Sequence, residues 1–94
     1  MIVTQLEGRV SPEKTDILTT AFDKALKDLP SALEYSYLVQ DSTDKEIWRV
    51  ITVWKSREAL LSYRESIDTP EGILMFRAAG TEPTLTISEV VRHT

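Results

Sequence analysis

The sequence predicts an α+β fold, a four-stranded antiparallel sheet with helices on one face, and three observations predict it. The run Ile47–Trp54 is apolar on both alternating faces, with Trp48, Val50 and Trp54 on one and Ile47, Ile51 and Val53 on the other. A strand with one solvated face alternates apolar with polar residues, so this strand is covered on both sides and central. Two segments carry apolar residues at helical spacing, and strand-like runs lie before, between and after them. The resulting order is β-α-β-β-α-(α)-β. Right-handed crossovers and adjacent hairpin strands then leave a ferredoxin-like layout, with the first and third strands in the middle of the sheet.

The first strand covers Ile2 to Arg9, where apolar and polar residues alternate imperfectly. Ser11-Pro12 opens the first helix, with Ser as N-cap, Pro at the first helical position and Glu13 in the favourable first turn. Ile17, Leu18, Ala21, Phe22, Ala25, Leu26 and Leu29 form its apolar stripe, and Pro30 stops it. The second strand runs from Leu33 to Gln40, with Leu33, Tyr35, Tyr37 and Val39 expected on one face. Asp41-Ser42-Thr43-Asp44-Lys45 is a hairpin loop longer than a two-residue turn.

The third strand follows, and Ser56 caps the second long helix, whose inner stripe is Ala59, Leu60, Tyr63 and Ile67. Thr69-Pro70-Glu71 begins a short helix through Ile73–Ala79. Gly80 ends it as a C′ residue and Pro83 prevents its return. The last strand is expected over Thr84–Arg92, with Leu85, Ile87 and Val91 sharing a face. The 94 residues carry no linker or repeat and read as one domain, 1–94.

The helices cover one face of the sheet, and so short a chain hardly supplies a cover for the other. An apolar patch of Ile51 and Val53 with some of Leu85, Ile87, Val91, Tyr35 and Tyr37 is left there, larger than monomers usually expose. A symmetric homodimer through that sheet face buries it. The net charge of -4 argues against nucleic acid and anionic membranes, which need a basic face. No cysteine is present, so disulfides, thiolate nucleophiles and zinc-thiolate sites are excluded. No apolar run approaches the ~20 residues of a membrane span, and no signal peptide is legible, so a cytoplasmic protein is expected. The chain lacks asparagine, and its single histidine, His93, is next to last. Metal-ligand spacing, phosphate-cradling glycines and a nucleophile-base pair are all missing, so no metal site and no cofactor are expected.

The element order, the length and the run Trp54-x-Ser56-x-Glu58-Ala59-Leu60 resemble the antibiotic biosynthesis monooxygenase family of dimeric α/β barrels. In that family a similar run ends the third strand and begins the next helix. The resemblance implies a cofactor-independent monooxygenase acting on a small aromatic or quinol-like substrate. An electron-rich phenolate can itself reduce oxygen, so the protein need only bind, desolvate and orient it. The same barrel also serves as a non-enzymatic ligand-binding or structural homodimer, and the sequence leaves both open. Many members carry Glu two residues before the Trp, where this chain has Thr52, and His three residues after the Leu, where it has Tyr63. The family's haem-degrading branch uses an Asn and a haem-ligating His that this chain does not offer, so haem degradation is not expected.

Trp54 and Tyr63 are the candidate catalytic residues. Trp54 either stacks on a flat substrate or fills the strand-helix corner as a core aromatic. Tyr63 either hydrogen-bonds a substrate oxygen or sits at the core edge; a phenol, with a reference pKa of about 10, is a poor base at neutral pH. Thr52, Trp48, Phe22 and Arg49 are the candidate substrate-binding residues, with Trp48 and Phe22 most simply read as core. Arg49 interrupts an apolar face, so it either binds an anionic group in a cleft or pairs with a carboxylate at the dimer seam.

Overall fold

The computed structural model describes residues 1–94. Four strands, β1 (Ile2–Arg9), β2 (Leu33–Gln40), β3 (Ile47–Trp54) and β4 (Thr84–Glu89), form one antiparallel sheet in the order β2-β3-β1-β4. The first and third strands are central, as the two-faced pattern of Ile47–Trp54 predicts. Three helices, α1 (Thr15–Ala25), α2 (Arg57–Ser66) and α3 (Glu71–Ala78), complete the ferredoxin-like fold.

Alternation fixes what each face carries. Trp48, Val50, Thr52 and Trp54 of β3 point toward the helices and are buried, while Ile47, Arg49, Ile51 and Val53 point away and are half-buried. Ile2, Thr4 and Leu6 of β1 are buried on the helix side. The main core joins Leu6, Val50 and Trp48 to Leu18 and Phe22 of α1 and to Met75 and Phe76 of α3. A second cluster joins Ile2 and Trp54 to Leu60 of α2. Gly8 lets Phe76 approach β1, since a Cβ there would lie 2.7 Å from the Phe76 ring.

The structure corrects several sequence expectations. β2 carries a bulge: Leu33 pairs with Trp54 and Tyr35 with Val53, so Glu34 is an extra residue. Leu33 therefore shares the helix face with Ser36 and Leu38, while Tyr35 and Tyr37 lie on the opposite face. Leu85 and Ile87 are opposite Leu6 and Thr4 in the β1–β4 register and so belong to the helix face, not to the bare one. β4 ends at Glu89 rather than Arg92, with one further contact from the Val90 N–H to the Met1 carbonyl.

Helix ends also differ from expectation. The α1 segment begins and ends as 3-10 turns, at Pro12–Lys14 and Leu26–Asp28, and Ser11 makes no side-chain cap bond. Pro70, not Thr69, is the N-cap of α3. Gly80 does end α3, at φ 83°. Its N–H donates to the Arg77 carbonyl and the Thr81 N–H to the Phe76 carbonyl, the paired bonds of a Schellman cap.

The sheet face away from the helices is uncovered by the chain itself. Tyr35 and Tyr37 stand there with ring centroids 6.4 Å apart, beside Ile51 and Val53. Among them Arg49 donates from Nε to Glu7 at 2.7 Å and from Nη1 to Asp41 at 2.9 Å. No helix is long and apolar enough to cross a membrane.

Candidate functional site

A cavity of about 150 Å³ lies between the sheet and the helices. Its floor is built by the helix-facing residues of all four strands: Thr4 and Leu6, Leu33 and Ser36, Val50 and Thr52, Leu85 and Ile87. Phe22, Ala25 and Leu26 close one side, and Trp54, Leu60 and Tyr63 close another. Ile73 and Met75 of α3 complete the wall, and Asp28, Arg64 and Glu71 are its charged residues. Leu26, Leu29, Leu85 and Ile87 are each 40–44% exposed, and all four line this space. Their exposure is that of a cavity mouth, not of a misplaced surface.

The aromatic wall is set by the strand-to-helix junction. Ser56 adopts an extended backbone and its Oγ accepts a hydrogen bond from the Ala59 N–H at 3.0 Å, which fixes the start of α2. Leu60 and Tyr63 then turn toward the sheet. The Tyr63 ring lies 5.0 Å from that of Trp54, tilted 39°. Such a pair contributes roughly 0.5–1.5 kcal/mol beyond burial. The Trp54 Nε1–H donates to Thr4 Oγ1 at 2.9 Å. The phenol oxygen of Tyr63 accepts from the Glu71 N–H at 3.3 Å and so ties α2 to the first turn of α3. Gly72, the next residue, lets that turn close on the sheet: a Cβ there would meet Leu6 Cδ1 at 2.6 Å.

Of the residues singled out by sequence, the structure brings Trp54, Tyr63, Thr52 and Phe22 to one cavity. It does not bring Trp48 or Arg49. Trp48 has the right face but lies in the main core beyond the cavity, and its buried Nε1–H has no partner. Arg49 has the opposite parity and pairs with Glu7 and Asp41 across the sheet from the cavity. Its carboxylate partners lie within its own chain, and it lines no part of this cavity. Sequence reasoning missed Thr4 and Ser36. Thr4 was detectable as a polar residue between Ile2 and Leu6 on an apolar face; Ser36 was masked by the bulge. Thr52 and Ser36 are hydrogen-bonded at 3.0 Å. No group of three or more His, Asp or Glu side chains is placed to hold a metal.

Fold and cavity together define a ferredoxin-like α+β protein with a small apolar cavity between sheet and helices. Residues 1–71 match the antibiotic biosynthesis monooxygenase family, and the chain belongs to that family. A Deinococcus radiodurans protein, named as a candidate antibiotic biosynthesis monooxygenase, is similar with a TM-score of 0.77 at 12% identity, over 100% of this chain and 96% of that one. A conserved protein from Methanosarcina mazei gives 0.73 at 15% identity, over 93% and 89%. A single-residue variant of MhuD, solved with two manganese protoporphyrin IX molecules bound per active site, gives 0.74 at 19% identity, over 100% and 98%. At these identities the likeness is one of fold. No curated protein sequence matches the chain significantly.

Proposed function

We propose that this protein binds a small, flat aromatic molecule in the cavity and acts on it as a cofactor-independent monooxygenase of quinol-like substrates in the cytoplasm. One observation carries the reading: an apolar cavity whose wall is the Trp54–Tyr63 pair and whose floor holds a few hydroxyls. Ligand sites are mostly apolar with a small number of placed polar groups, which is this composition. Trp54 stacks on the substrate, Phe22 closes over it, and Tyr63 and Thr52 meet its oxygens.

The chemistry then needs no redox group from the protein. For an anthrone-type substrate, a ring CH₂ conjugated through the arene to a carbonyl loses a proton, and the resulting phenolate-like anion passes one electron to O₂. The radical pair joins as a hydroperoxide, which loses water to leave a carbonyl. One oxygen atom ends in the product and one in water, and the carbon has lost the four electrons that oxygen gained. The carboxylates of the lining are Asp28 and Glu71.

The same chain read as a non-enzymatic binder draws on one observation, that the Tyr63 oxygen is already engaged by the Glu71 N–H. The experiment separates the two. Oxygen uptake with a panel of anthrones and quinols, slowed by Tyr63→Phe, supports the enzyme. Ligand-induced thermal stabilisation without oxygen uptake supports the binder.

The residues do not fit a porphyrin held by histidine. His93, the single histidine, is exposed beside the C-terminal Thr94 and does not line the cavity. Titration with haem is expected to give only weak spectral change. Stoichiometric binding followed by ring opening under a reductant would overturn that expectation.

A further inference from the structure

We propose that Thr4, Thr52 and Ser36 form the element that selects the ligand, by holding one carbonyl oxygen of an uncharged aromatic molecule. The proposal rests on the reading that the cavity binds a small molecule. The three residues form a single row across the sheet. Thr4 is opposite Thr52 in the β1–β3 register, and Ser36 is opposite Thr52 in the β2–β3 register. All three line the cavity. The rows on either side are apolar: Leu38, Val50 and Leu6 on one, Leu33, Trp54 and Ile2 on the other. Thr4 and Thr52 are 9% and 7% exposed, so their hydroxyls are withdrawn from bulk water. Thr4 is explained structurally as the acceptor for the Trp54 indole, but Thr52 and Ser36 bond only each other, and a floor made only for packing would carry aliphatic residues at those two positions.

The count of hydrogens points to what is missing. Thr4 Oγ1 accepts from the Trp54 indole, so its own O–H is left to donate. Ser36 and Thr52 share one hydrogen between them, which leaves a second O–H free. Neither hydrogen has an acceptor among the side chains and carbonyls of the chain. Each hydroxyl already accepts or exchanges a hydrogen bond, and such chains polarise the next donor.

Directly opposite residues hold their Cβ atoms ~4.5–5.5 Å apart. With Ser36 donating to Thr52, the Thr52 O–H is the free one, and one oxygen seated above the row can take a bond of ~2.8 Å from Thr4 and another from Thr52. Two donors converging on one oxygen suit a carbonyl, and suit it better as it gains enolate charge when the neighbouring carbon loses a proton. The charges of the lining are Asp28, Glu71 and Arg64, two negative against one positive, which disfavours a carboxylate, while two O–H donors aimed at one point disfavour a cation there, so the ligand that fits is uncharged.

The test uses two planar bicyclic probes that differ by one carbonyl, 1-indanone and indane, titrated into the full chain and followed by calorimetry and NMR shifts. The expected result is at least about tenfold tighter binding of indanone. Thr52→Val should remove about tenfold of that affinity and leave indane unchanged, while Thr4→Ser, which keeps a hydroxyl, should bind both probes as the parent does. Thr4→Val strands the Trp54 N–H and can harm folding, so Thr52→Val is the deciding variant. Equal affinity for the two probes in the parent overturns the proposal and leaves the cavity as a binding site. An equal loss for both probes in Thr52→Val reduces the row to packing and overturns it as well. Failure of both probes to bind defeats the cavity reading itself, and this proposal with it.

Discussion

Tyr63 links three things through one side chain: its ring lies against Trp54, its oxygen caps α3, and its edge faces the cavity. Tyr63→Phe keeps the ring contact and loses a bond at the surface that water can replace. Urea unfolding should shift by less than about 1 kcal/mol, so a fall in oxygen uptake reports chemistry rather than misfolding. Asp41 makes a second residue-scale case. Its carboxylate accepts from the backbone N–H groups of Asp44 and Thr43 and from Arg49. The Asp44 N–H, then the Arg49 guanidinium, then the Thr43 N–H hold its pKa down to about 2, from an ordinary 3.8. A depressed carboxylate stabilises the fold above its unfolded pKa, and that contribution is lost as pH falls through the folded one. Asp41→Asn should therefore be less stable than the parent at pH 5, and the gap should close between pH 4 and 2 in urea titrations. A gap that stays constant over that window would count against the carboxylate. Neither role was legible beforehand. Tyr63 could be placed on an inner stripe, but a bond to a residue eight positions on depends on how α2 and α3 meet. Arg49 was visible as a charge on an apolar face. That its partners are Glu7 and Asp41 depends on strand register and on the fold of the hairpin loop, and alternation alone does not say that.

At the scale of elements, the junction between β3 and α2 governs the site. Ser56→Ala removes the Ala59 N–H acceptor and should cost about 1 kcal/mol, or roughly 4–8 °C in Tm for a domain of this size. The two close-approach glycines should differ in sensitivity. Alanine at Gly8 meets Phe76, which is fully buried, and Thr81 as well. Alanine at Gly72 meets the end of the Leu6 side chain. Overpacking costs about 1–3 kcal/mol, and calorimetric melting should place Gly8→Ala at the upper end and Gly72→Ala below it. The elements themselves were readable because β3 is apolar on both faces and α2 has a cap and a stripe, signals that packing does not overrule. β4 was read three residues too long: Val90 and Val91 continue an apolar pattern that an edge strand with one neighbour does not hold. The 3-10 turn at Leu26–Asp28 is masked in the sequence because Leu26 and Leu29 keep helical spacing while lining the cavity mouth.

At the scale of the molecule, the bare sheet face is the feature a lone chain does not explain. Tyr35 and Tyr37 are 59% and 52% exposed beside Ile51 and Val53, and the Arg49 ion pairs are set among them. We expect two copies to join through this face. Sedimentation at micromolar concentration should give twice the chain mass, and Ile51→Asp or Val53→Asp should return the monomer or prevent folding. A stable parent monomer would sink the idea. The cavity and this face are the two sides of one sheet, so each strand serves both at every second residue. The extra residue at Glu34 changes what that sharing means for β2. It acts as a phase shift: odd-numbered residues before it face the helices, and odd-numbered residues after it face away. If Glu34 were instead paired as an ordinary strand residue, Leu33 would fall into step with Tyr35 and Tyr37 and leave the cavity wall. Removing Glu34 would do the opposite, because Leu33 and Tyr35 would then be neighbours and would keep their present sides. The strand can thus lose a letter without changing what it offers to a ligand or to a second copy, whereas keeping the letter and flattening the bulge would exchange the two.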